Sequence, residues 1–150
     1  MEDRLQWIRL QPQTWVHWEA VRGGLQAHSL LVRRYPQADC FVVQPQPAGP
    51  THAAARALVP SAWRLARWRG GKTHVTQPGE GTAQMLWANM ALHMAADPQT
   101  LIAQWHRTLA VDGFVMFSAF GPDTLRELRT VYQAMGWPAP AHEFTDMHDW

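Results

Sequence analysis

Four groups of residues in this sequence carry side chains or backbone able to do chemistry. The tail HEFTDMHD brings His142, Glu143, Asp146, His148 and Asp149 together, a set of nitrogen and carboxylate donors of the kind that bind divalent metals. The spacing fits no zinc motif, because HExxH needs a histidine where Asp146 stands. No metal is therefore expected, and the tail is read as solvated polar loop. A second group lies between Cys40 and Gly79, where Asp and Glu are absent while Arg56, Arg64, Arg67, Arg69 and Lys72 supply positive charge with Trp63 and Trp68 interleaved. Guanidinium and indole groups together suit single-stranded nucleic acid through stacking and phosphate contact, or an acidic protein through charge complementarity. The plainer reading is a solvated helix whose tryptophans pack inward. Third, Gly23 and Gly24 follow the strand-like run TWVHW, and a glycine turn there allows positive φ and close approach of backbone to a ligand. Fourth, Gln44 and Asn89 each follow an apolar run, and both carry an amide that donates and accepts; His93 lies near the second of them. Asn89 also has an ordinary role available as a turn cap. Cys40, inside an apolar run, is read as a small hydrophobe.

These residues need elements to hold them in place. Thr14 to Trp18 is short, β-branched and aromatic, and the helical stretch from about Gln26 to Tyr35 follows its Gly-containing turn. Pro36 stops that helix, Cys40 to Val43 is a second strand, and QPQPAGP is loop. Thr51 or His52 to Leu58 is Ala-rich and helical; Ser61 caps a further turn to about Trp68; Lys72 to Val75 is a weak strand. Met85 to Trp87 is a buried-strand run. Asp97 and Pro98 then supply an N-cap and a first-turn proline for a helix to about Leu109, with Leu101, Trp105 and Leu109 on one stripe. Asp112-Gly113 is expected to be a turn and Phe114 to Ala119 the best strand of the chain. Thr124 and Glu127 match a capping box for a last helix that Gly136 ends as a left-handed cap.

Strands alternating with helices through short turns predict parallel βαβ units, hence an α/β three-layer sandwich with a mostly parallel sheet. Ligands of such sheets bind beyond the carboxyl ends of the strands, so the residues after Trp18, Val43, Trp87 and Ala119 are where a site belongs. The 150 residues suffice for one core, and residues 1–150 are read as a single domain. A net charge of +1 gives no overall field that calls for nucleic acid or membrane. Polar residues or proline interrupt every apolar run before it reaches the roughly 18 residues of a membrane span. One cysteine excludes an internal disulfide, and MEDRLQWIRL lacks a basic, then apolar, leader, so a cytoplasmic location is expected. The nine tryptophans show no fixed period, which argues against a repeat protein; they are read as core and rim filler.

The segment LWANMALHMAADPQTLIAQWHRTLAVDGFVMFSAFGPDTLRELR, Leu86 to Arg129, resembles the fourth strand, fourth helix, fifth strand and following helix of class I S-adenosylmethionine-dependent methyltransferases, in particular those that methylate a malonyl carrier protein in biotin synthesis. The similarity extends more weakly through WPAPAHEFTDMHDW. Upstream, TWVHWEAVRGG falls where these enzymes carry V-L-D-x-G-x-G-x-G, and RRYPQADCFVVQPQP where a second strand ends in an acidic residue. The resemblance implies a Rossmann-like class I methyltransferase fold, here ending after the fifth of seven strands. It implies S-adenosylmethionine as cofactor and carboxyl methylation of a malonyl thioester as the ancestral reaction.

Residue by residue, Gly23 matches the last loop glycine, with Gly24 beside it. The aspartate position falls on His17, the two earlier glycine positions on Glu19 and Val21, and the ribose-binding acidic position on Gln44. Val21 would be strained if its φ were positive. Exchanging an acidic residue for Gln44 removes a charge-assisted bidentate contact worth about 1.5–3 kcal/mol. Cofactor contacts are therefore assigned to Gly23, Gly24, Gln44 and Asn89, with affinity reduced. Methyl transfer needs no triad, because the sulfonium carries its own leaving group, and no catalytic residue is assigned. The implied partner is an acidic acyl carrier protein, favoured over nucleic acid. An unpaired edge after the fifth strand would be covered by further chain or by a second copy. The competing expectation is a catalytically silent relative that keeps the fold for binding or regulation.

Overall fold

The computed structural model describes residues 1–45, 49–59 and 70–149. Two compact units divide it, one running from Met1 to Ser118 and one from Ala119 onward.

The first unit is built on a five-stranded, all-parallel sheet. Its strands are β1 (Thr14–Trp18), β2 (Asp39–Val43), β3 (Thr73–His74), β4 (Ala83–Asn89) and β5 (Leu109–Ser118), in the order β3-β2-β1-β4-β5. β1 is central, with Val16 in register with Phe41 of β2 and Leu86 of β4. Four of its five residues are buried, as expected for a strand covered on both faces. The connecting helices are α1 (Ala20–Gly23), α2 (Leu25–Arg34), α3 (Pro50–Arg56) and α4 (Pro98–Thr108). A 3-10 turn, Glu2–Trp7, buries Leu5 completely, and its Glu2 pairs with Arg34 of α2 at 3.2 Å.

Large side chains fill the core: Trp15, Trp87 and Trp105 are buried together with Leu31, Met85 and Leu86. The role of filler holds for these tryptophans and for Trp18, whereas Trp7 and Trp137 are exposed. Trp63, Trp68 and the cations Arg64, Arg67 and Arg69 lie outside the described residues, as does the helical turn expected from Ser61 to Trp68. Cys40 is buried, and burial pushes its thiol pKa well up, as befits a packing residue.

Helix α4 begins as its sequence dictates. Asp97 accepts hydrogen bonds from the Thr100 amide (3.0 Å) and hydroxyl (2.7 Å), and Pro98 occupies the first turn. Asp112-Gly113, expected as a turn ahead of the last strand, instead forms an irregularity inside β5. That strand starts at Leu109 directly after α4, and its register against β4 jumps from Ala83↔Leu109 to Met85↔Phe114. Asp112 absorbs the extra residues with φ 63°, a conformation short polar side chains tolerate. β5 forms one edge of the described sheet, and its Val111 is 92% exposed.

The second unit contains α5 (Arg126–Ala134) and a 3-10 turn, Met147–Asp149. The expected Thr124/Glu127 capping box does not form. Residues 121–125 wind into tight turns, with the Thr124 amide bonded to the Gly121 carbonyl and the Arg126 amide to that of Asp123. Leu125 then takes φ 60° as the residue preceding the helix, with no side-chain cap. Gly136 ends α5 at φ 67°, and the Trp137 amide reaches back to the Tyr132 carbonyl, as foreseen. Arg129 organises this unit: it donates to the carbonyls of Pro122 and His142 and lies over the Phe144 ring. In the tail, Asp146 pairs with His148 at 2.6 Å. No helix among the described residues is long and apolar enough to cross a membrane.

Candidate binding cleft at the strand ends

Beyond the carboxyl ends of β1, β2 and β4 lies a cleft of about 350 Å³, within the size range of small-molecule sites. β1 delivers Trp18 and Glu19 to it, β2 delivers Gln44 and Pro45, and the segment after β4 delivers Ala91 and Met94 to Asp97. Thr51 of α3 and Thr100, Leu101 and Gln104 of α4 complete the wall. Beneath it, Trp18 meets Trp105 edge-on at 6.0 Å.

The turn after β1 sets the mouth. The Glu19 amide still donates to the Val43 carbonyl at 2.8 Å, which prolongs the β1–β2 ladder by one residue. Glu19 itself turns the chain with φ 50°, ψ 48° and leads into α1. This left-handed conformation costs a residue with a side chain roughly 1–2 kcal/mol relative to glycine. The strain expected of Val21 is absent: Val21 lies inside the right-handed turn of α1, and positive φ occurs at Glu19 and Gly24. Gly24, at φ 109° and ψ 113°, links α1 to α2 in a conformation side chains rarely adopt.

Gly23 is required for another reason. A Cβ there would meet the Asn89 carbonyl oxygen at 2.9 Å. The Asn89 side chain also locks this approach, since its amide nitrogen donates to the Gly23 carbonyl while its Oδ1 accepts from the Ser118 hydroxyl at 2.6 Å. Asn89 thus fastens the β1 turn to the ends of β4 and β5 with both ends of its amide engaged. Of the four residues assigned to a cofactor, only Gln44 lines the cleft; Gly23, Gly24 and Asn89 shape the turn behind it. The Gln44 Nε2 is buried without a hydrogen-bond partner among the described residues. His93 sits in the 3-10 turn Leu92–Met94, outside the lining.

On the wall the side chains of Glu19 and Arg22 approach to 3.6 Å, and Asp97 adds a second carboxylate. Burial raises the Glu19 pKa and the Arg22 guanidinium opposes that rise. Asp97 spends its oxygens on Thr100, and those bonds hold its pKa low.

Under the same turn, His17 faces His28 of α2. Their Nδ1 atoms are 3.2 Å apart, and the rings stack at 5.4 Å with an interplanar angle of 20°. Both residues are buried, and desolvation drives both pKa values down, that of His17 to about 3. The pair is therefore neutral near pH 7, one Nδ1–H donating to the lone pair of the other. The sequence reading marked His17 but not His28, and it treated Glu19 as a departure rather than as part of a wall. Contacts across β1 and α2 have no short motif; only the strand-turn-helix order hinted at them.

The order β3-β2-β1-β4-β5 with helices between parallel strands, and a cleft at the carboxyl ends of β1, β2 and β4, defines a Rossmann-like α/β fold. By sequence the chain is similar to several malonyl-[acyl-carrier protein] O-methyltransferases. It is 32% identical over 148 residues to the one from Halorhodospira halophila (98% of this chain, 48% of that protein) and 29% identical over 160 residues to that from Gallionella capsiferriformans (99% and 52%). A shorter match, 41% over 69 residues, links 46% of the chain to 23% of the Laribacter hongkongensis protein. The chain spans about half the length of the relatives that match it end to end. Among solved structures, a Pyrococcus horikoshii protein superposes with a TM-score of 0.55 at 13% identity, over 88% of this chain and 58% of that one. No family profile matches the chain.

Proposed function

We propose that this chain is the cofactor-binding part of an S-adenosylmethionine-dependent methyltransferase whose reaction is carboxyl methylation of a malonyl thioester, with the strand-end cleft as the cofactor site. The observation that carries this reading is the cleft itself: its volume, its position, and the lining by Glu19 and Gln44, which fall on cofactor positions of the related enzymes. The fit to the cofactor is one of shape and register. Trp18, Met94 and Leu101 offer apolar surface, and Gln44, whose amide nitrogen has no partner among the described residues, offers a hydrogen bond to a hydroxyl. When bound, the cofactor supplies an electrophilic methyl group on sulfur together with its own leaving group. The work left to this chain is to bind, orient and exclude water. The acceptor is assigned from the relatives, which are named for a malonyl-[acyl-carrier protein] substrate; an acidic carrier protein is the partner this implies.

A second reading, a silent methyltransferase fold retained as a binding subunit, is favoured by the engagement of both ends of the Asn89 amide within the protein. Calorimetric titration of the full chain with S-adenosylmethionine separates the two. Binding that is abolished by Ala95→Trp, which fills the cleft, supports the cofactor site. Absence of heat and of thermal shift at millimolar cofactor sinks it.

A further inference from the structure

The Glu19 carboxylate gives the cleft a charge preference. Its side chain is 13% exposed, whereas that of its partner Arg22 is 58% exposed. At 3.6 Å the two are farther apart than the roughly 2.7–2.9 Å of a charge-assisted hydrogen bond, so the guanidinium neutralises the carboxylate only in part and mostly from the solvent side. Among the described residues the carboxylate accepts no side-chain hydrogen bond, which leaves lone pairs for a ligand. The second carboxylate of the lining, Asp97, is committed to Thr100, and the remaining polar groups, Gln44, Thr51, Thr100 and Gln104, are neutral. Among the described residues, two carboxylates thus stand against one guanidinium on a wall otherwise made of apolar, hydroxyl and amide groups, where the local dielectric is below that of water and charge acts at longer range.

We propose that Glu19 makes this cleft selective for cationic ligands, so that of two adenosyl compounds of nearly equal shape it holds the sulfonium form more tightly than the neutral thioether. This rests on the reading of the cleft as the adenosyl site. The consequence for a methyl-transfer cycle is direct: the reactant carries the positive charge and the demethylated product does not, so the same carboxylate that retains one releases the other. Burial raises the Glu19 pKa, but Arg22 beside it favours the ionised form.

The test is calorimetric titration of the full chain with S-adenosylmethionine and with S-adenosylhomocysteine, in the wild type and in two variants. The wild type is expected to prefer the sulfonium by on the order of tenfold, the scale of one incompletely screened charge pair. Glu19→Gln keeps the shape and should bring the two affinities together. Arg22→Ala removes the opposing guanidinium and should widen the gap. Thermal melts of both variants establish that they are folded. Equal affinities in the wild type, or a ratio unchanged in Glu19→Gln, overturn the charge preference while the adenosyl site stands. Failure of both compounds to bind at millimolar concentration overturns the site and the preference together.

Discussion

Acid should destabilise this protein earlier than its carboxylates alone would dictate, because of the buried His17–His28 pair. The unfolded chain binds a proton at His17 near the ordinary value of 6.5, whereas the folded chain holds that pKa at about 3. A depressed folded-state pKa means that stability is fully present above about pH 6.5 and is lost as pH falls toward 3, since the unfolded state takes up protons first. At pH 5 the unfolded state has gained about 1.5 pH units of protonation free energy, which at 1.36 kcal/mol per unit is about 2 kcal/mol from His17 alone. His28, also depressed, adds in the same direction. Urea denaturation at pH 7.5 and pH 5 should therefore show a loss of about this size, offset in part by Glu19, whose raised pKa acts in the opposite direction. In the double variant His17→Leu/His28→Leu most of the loss should vanish. Imidazole NMR should find His17 neutral at pH 5. A wild type whose stability is level between pH 7.5 and 5, or a double variant that loses as much as the wild type, refutes the reasoning.

Other outcomes follow from the geometry of the turn and the core. Asn89→Ala removes the donor to the Gly23 carbonyl and the acceptor of the Ser118 hydroxyl, and should cost about 1–3 kcal/mol in chemical denaturation. Gly24→Ala, at φ 109°, should destabilise by about 1–2 kcal/mol although no atom lies in the way of the added methyl; an unchanged midpoint would contradict the assigned conformation. Trp105→Ala empties the floor beneath the cleft and should cost about 3–5 kcal/mol, read as a lowered melting temperature.

The parallel sheet was legible because its signals are local. TWVHW and CFVV are apolar runs bounded by turn residues, and Asp97-Pro98 writes a helix start into two residues. The bulge in β5 was not legible, since Asp112-Gly113 has the composition of a turn, and whether the chain reverses there or merely kinks depends on pairing with Ala83 and Met85. The capping box failed for a similar reason: Thr124 and Glu127 have the spacing, but the turns after Pro122 place Leu125 in a left-handed conformation first. At the cleft, Gln44 is legible through the family resemblance, which puts it on the ribose-binding position at the end of the second strand. Gly23 and Asn89, each read as a cofactor contact, are also bonded to each other, a relation between residues far apart in sequence that no spacing rule encodes. The wall contributed by α4, Leu101 and Gln104 above all, was hidden because a helix stripe looks the same whether it covers a core or a cavity.

The account depends most on Gln44. If the cleft takes the adenosyl cofactor and grips it weakly because an amide stands where an acidic side chain is expected, Gln44→Glu should restore a bidentate acceptor and raise affinity by about tenfold or more. Calorimetry of the full chain with S-adenosylmethionine, wild type against Gln44→Glu, measures this. The account predicts tighter binding in the variant; equal affinities, or no binding by either protein at millimolar cofactor, would contradict it.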